Sequence, residues 1–228
     1  MAEDTATARP VEAISRTAAR LSFAGAATFL VLLAALHLIK PELDPSWRMV
    51  SEYEIGDYGW IMVLAFLSLA FSCATLFVAI RSQTRTTGGK IGLAVLVVSA
   101  LGMTIAAVFT ADPITASNDE LTTHGTLHGV GALLGIPGFP IAATLISLSL
   151  VRNPAWSPAR RALLWTAGLN WISLLVFVVL VAVMLPQSGG EFGPDVPIGW
   201  PTRLFVAANS LWLMVVAWRA ARLSGQSS

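Results

Sequence analysis

Six stretches of this chain are each apolar enough, over a sufficient length, to cross a lipid bilayer. They are approximately Leu21 to Leu38, Tyr58 to Ile80, Ile91 to Thr110, His124 to Leu150, Ala162 to Leu185 and Arg203 to Ala220. A bilayer core about 30 Å thick requires roughly 20 apolar helical residues. Backbone groups in hydrocarbon find no water to bond, so each run is expected to be a helix. A transmembrane barrel would show short alternating segments instead; this sequence has none. Hydrophobic residues make up 55% of the 228 and charged residues 12%, against about a quarter charged in a soluble domain. The expected fold is therefore all-α, an integral membrane bundle of six transmembrane helices over 21–222, with polar tails at 1–20 and 223–228. The polar segment ahead of the first run is too long, and the run itself too extended, for a cleaved signal peptide.

Lys and Arg near the span ends set orientation. Eleven lie on one side: Arg9, Arg16, Arg20, Arg81, Arg85, Lys90, Arg152, Arg160, Arg161, Arg219 and Arg222. Only Lys40, Arg48 and Arg203 lie on the other. Both termini are thus expected in the cytoplasm of a cell whose inner (plasma) membrane holds the chain. Ten of the thirteen acidic residues fall on the extracytoplasmic side. Trp47, Trp60 and Trp200 map to outer boundaries and Trp156, Trp165 and Trp218 to inner ones, as an aromatic belt requires. Trp171 and Trp212 lie deeper and are expected to pack between helices. No basic patch with interleaved aromatics points to nucleic acid. The single cysteine, Cys73, lies in an apolar run and offers neither a disulfide nor a thiolate metal site.

The fourth span is the irregular one. Gly125, Gly129 and the pair Gly131/Gly135 place small residues at four-residue spacing, which lets helices approach closely. Pro137 and Pro140 remove two backbone donors and are expected to kink or break the helix near mid-membrane.

All three histidines, His37, His124 and His128, map to outer span ends. His124 and His128 are one turn apart and share a helix face. Asp112 ends the third span, Ser51, Glu52 and Glu54 occupy the first outer loop, and Arg203 opens the sixth span. Ionisable residues at a membrane edge are functional candidates by default. Three assignments fit these residue types. His37, His124, His128 and Asp112 supply the N/O ligands that zinc accepts, and a zinc-bound water, assisted by Ser51 or Glu52, would make a metal-dependent hydrolase working at the outer face. Ser51, Glu52, Asp112 and Arg203 are the candidate catalytic residues of that reading; alternatively the polar site of Glu52, Asp112, His128 and Arg203, in a cleft opened by the Pro137/Pro140 kink, holds a small-molecule or lipid ligand. In the third, the cluster is a hydrogen-bonded polar cap in which Arg203 pairs with Asp112 or Glu52. A bis-histidine haem has no supporting motif. Asn170 and Asn209, inside the spans, are expected to bond between helices or to line a substrate path.

Several short motifs resemble a bacterial and archaeal membrane family catalogued as domain of unknown function 998. They are Ser51-Glu52-Tyr53 with Gly59-Trp60, Phe109-Thr110-Ala111-Asp112-Pro113, His124-Gly125-Thr126-Leu127-His128, and Arg203-Leu204 ahead of Trp212. The likeness runs from Leu21 to Arg222 and implies a small multi-pass membrane protein with an outward polar cluster, and no particular activity. His37 belongs to none of the matching motifs.

Overall fold

The computed structural model describes residues 14–224; Arg9 and most of the two expected tails lie outside the described residues. Seven helices form six spans: α1 (Arg16–Ile39), α2 (Gly59–Ile80), α3 (Thr87–Val108), α4 (Thr123–Gly135), α5 (Gly138–Leu150), α6 (Arg160–Gln187) and α7 (Gly199–Ser224). Among the described residues there is no strand. The chain is a multi-pass membrane protein by the length and apolarity of these helices.

Local chemistry explains where the helices start and stop. Ser15, Thr86 and Thr122 cap α1, α3 and α4, each accepting a backbone N–H from the first turn, which satisfies a donor the helix cannot. The fourth span breaks as its prolines require: α4 ends at Gly135, and α5 restarts at Gly138 with Pro137 at its N-cap and Pro140 in its first turn. There a missing N–H costs nothing, because the first-turn donors have no intrahelical partner.

The helices close into a ring: α1 packs on α2 and α7, α2 on α3, α3 on both α4 and α5, α5 on α6, and α6 on α7. Very close α3–α4 packing depends on glycines. A Cβ on Gly102 would sit 2.6 Å from the Gly131 carbonyl, and one on Gly131 would sit 2.6 Å from that of Gly102. Gly129, on another face of α4, meets nothing within 4 Å.

The two ends differ in charge. All ten Asp and Glu within the described residues lie in the loops 40–58, 109–122 and 188–198, here called the acidic end. The opposite, basic end carries Arg16, Arg20, Arg81, Arg85, Lys90, Arg152, Arg160, Arg161, Arg219 and Arg222.

Two tryptophans depart from expectation. Trp156 is wholly buried in the core instead of facing lipid, and Trp171 is exposed on the bundle surface, its Nε1 donating to Thr144. Trp212 is buried as expected, donating to Ser147 Oγ at 3.0 Å.

The ring is not equally tight along its length. Every buried residue of α6 lies between Leu163 and Ser173, in the half nearer the basic end; none follows from Leu174 to Gln187. In the acidic half α4 has α3 as its packing partner, and its other flank faces a gap toward α6 and α7.

Candidate functional site

The first acidic-end loop is folded inward. Gly56 and Tyr58 take left-handed backbone conformations at φ 73° and 62°. A Cβ on Gly59 would sit 1.9 Å from the Glu54 carbonyl oxygen. Glycine there lets a short 3₁₀ turn, Val50–Glu54, lie against the start of α2 and bury Glu52, Tyr53 and Glu54.

Tyr53 is the hub of one cluster. Its hydroxyl accepts from Arg203 Nη2 at 3.1 Å, and its ring lies 5.2 Å from that of His37. Arg203 Nε donates to His37 Nε2 at 2.7 Å, and Nη1 donates to the carbonyls of Arg48 and Gly199 at 2.8 and 3.0 Å. His37 Nδ1 donates to the Leu33 carbonyl at 2.7 Å, which leaves Nε2 free to accept. Lys40, also buried, donates to the carbonyls of Tyr53 and Ile55. Arg203 therefore does not meet Asp112 or Glu52, the acids expected from sequence; it clasps α1, the first loop and α7 through neutral partners.

Glu52 instead binds Arg48 at 2.7 Å and accepts the backbone N–H groups of Met49 (2.8 Å) and Ile114 (3.1 Å), joining the first loop to the second. Asp112 accepts from Thr122 N and Oγ1, both at 2.8 Å, beside the N-terminus of α4, where a carboxylate is favoured by the helix dipole. A Cβ on Gly125 would lie 1.9 Å from Asp112 Oδ2, so this seat needs glycine.

Glu54 is the acid that meets a histidine. Its Oε2 lies 3.3 Å from His128 Nδ1 and accepts the Ala111 N–H at 3.3 Å; its Oε1 has no partner. His128 Nδ1 also reaches the Ala106 and Phe109 carbonyls at 2.9 and 2.8 Å, tying α4 to the end of α3. His124, one turn earlier, is exposed and stands edge-on to Phe109 at 5.4 Å. Among the described residues no three His, Cys, Asp or Glu side chains gather into a metal-holding group: His37 bonds Arg203, Asp112 bonds Thr122, and His124 and His128 share only Phe109 as a neighbour. The sequence puts Glu54 among the ionisable candidates of the first outer loop but assigns it no role, because nothing in Ser-Glu-Tyr-Glu shows which glutamate turns toward α4. Tyr53 is missed as a site residue for the same reason.

Between α4, α6 and α7 lies a cavity of about 1180 Å³. Ser51, Asp112, Ser117, Asn118 and Glu191 line its polar mouth at the acidic end. His128 and Gly129 form part of one wall, and Phe66, Leu69, Phe177, Phe205 and Val206 surround its interior. At depth it meets Asn209, whose Oδ1 is buried without a partner. Asn170 behaves as an interhelical residue, its Nδ2 donating to the Thr166 and Ala208 carbonyls, although its Oδ1, like that of Asn209, is buried without a partner among the described residues.

A multi-pass helical membrane protein with a laterally placed, polar-mouthed cavity is the class these features define. The chain belongs to the family described as "Protein of unknown function (DUF998)", whose model matches residues 23–219. Neither a curated protein nor a solved structure matches it.

Proposed function

We propose that this protein binds an amphiphile from the membrane, in the cavity between α4, α6 and α7, and that its acidic end faces away from the cytoplasm. The observation that carries the proposal is the cavity's build: a polar mouth at the level of the loops, an apolar interior at the depth of the lipid chains, and a flank where α6 leaves the ring unsealed. Its volume of about 1180 Å³ is at or above the upper end of the roughly 300–1,000 Å³ usual for small-molecule sites, room for a headgroup with a chain. The Arg203–Tyr53–His37 clasp and the Asp112–Thr122 seat hold the mouth in shape without occupying it. The orientation is supported by the excess of Lys and Arg at the other end.

The test is lipid retention. Protein purified in mild detergent should carry a stoichiometric amphiphile detectable by native mass spectrometry, and Gly129→Phe should lose it. Gly129 has open space around its Cβ, so a large side chain there fills the cavity without displacing a neighbour at its root. Equal lipid content in both proteins would refute binding at this place. Zinc held near stoichiometry, and lost in the His124→Ala/His128→Ala variant, would move the assignment to a metal-dependent hydrolase.

A further inference from the structure

Charge and hydrogen-bonding capacity around the cavity narrow what it can hold. No Lys or Arg lines it, whereas two carboxylates, Asp112 and Glu191, do. The surrounding end of the molecule carries ten acids against three bases, and each base is turned to a partner elsewhere: Lys40 to loop carbonyls, Arg48 to Glu52, Arg203 to the His37 cluster. The mouth is therefore net negative, with no Lys or Arg among the residues that line it. Beside the mouth, hydrogen bonds from Ser117 hold the Glu120 carboxyl below its ordinary value.

Inside, the polar lining asks for donors. Asn209 is 1% exposed, lines the cavity, and presents a buried Oδ1 with no donor in the protein. His128, 7% exposed, has its Nδ1 taken by the Ala106 and Phe109 carbonyls and Glu54. A buried acceptor left unmatched is costly, so the fitting ligand supplies N–H or O–H groups. The rings of Phe66, Phe177, Phe192 and Phe205 complete the lining, and an aromatic face attracts a cation.

We infer that the cavity selects amphiphiles with a cationic, hydrogen-bond-donating headgroup, such as a primary amine on an alkyl chain, over anionic ones. This rests on the cavity being the binding site proposed above. An anionic headgroup would sit beside Asp112 and Glu191, with no Lys or Arg in the lining to balance its charge.

Three probes of one chain length separate the two propositions: dodecylamine, 1-dodecanol and dodecanoate, measured by equilibrium dialysis against the full chain in phosphatidylcholine nanodiscs, with protein-free discs subtracted. The expected result is saturable binding in the order amine, alcohol, carboxylate. The amine should exceed the carboxylate by roughly tenfold or more, the scale of one partly screened ion pair. Gly129→Phe should abolish binding of all three, Asp112→Asn/Glu191→Gln should bring the amine down to the alcohol, and Asn209→Leu should weaken amine and alcohol together. Carboxylate binding equal to or tighter than amine, still blocked by Gly129→Phe, would overturn the headgroup preference and leave the cavity standing. Saturable binding of no probe, or binding that Gly129→Phe leaves untouched, would overturn both.

Discussion

Arg203 is a buried guanidinium whose partners are all neutral, and that makes it a clasp instead of half of an ion pair. Its contacts to His37, Tyr53 and two carbonyls fasten α7 to α1 and the first loop. Replacing it leaves those groups unmatched, so Arg203→Gln is expected to destabilise by about 2–4 kcal/mol, read as a lower thermal midpoint in detergent. Arg203→Lys should recover little, because one ammonium cannot span a fork of four acceptors. A His37→Ala/Arg203→Gln double variant should lose clearly less than the sum of the singles; additivity would mean the 2.7 Å contact carries nothing. Asn209 presents the reverse case. Its Oδ1 is unmatched in the protein, so Asn209→Leu should raise stability by about 1 kcal/mol while it weakens ligand binding, a combination that a purely structural asparagine would not produce. Sequence alone singles out Arg203, His37, Asp112 and His128 by residue type at a membrane edge. It does not show their partners, because Glu52 and Glu54 differ only in how a five-residue 3₁₀ turn faces them.

At the level of helices, α4 has two faces that sequence cannot tell apart. Gly131 and Gly129 both read as small residues suited to close packing, yet only Gly131 meets the α3 backbone. Gly131→Val should force α3 and α4 apart and lower the unfolding midpoint strongly. Gly129→Ala should be neutral or stabilising by up to about 1 kcal/mol, from helix propensity alone. Comparable losses at both positions would contradict the observed face. The six spans and the break at Pro137–Pro140 were legible because lipid demands long apolar helices and proline lacks a donor. Which flank of each helix is buried was not, since hydrocarbon chains are as apolar as a helix interface and the usual polar stripe is missing. The same cause hides that Trp156 is core and Trp171 surface.

The whole molecule is polarised along the membrane normal, with acids at one end and bases at the other. If the acidic end faces outward, Asn118→Cys in intact cells should react with a membrane-impermeant maleimide, and Arg85→Cys only after permeabilisation. Both positions are exposed, and the native Cys73 is buried. The reversed pattern would invert the orientation and place the cavity mouth in the cytoplasm. The uneven burial of α6 has a mechanical consequence. From Leu174 to Gln187, about 20 Å of helix at 1.5 Å per residue, α6 contributes no buried residue, against five between Leu163 and Ser173. If the cavity binds an amphiphile as proposed, the thinly packed half of α6 beside the mouth is where exchange with the bilayer is expected, and exchange would then be confined to one leaflet, whatever the cargo.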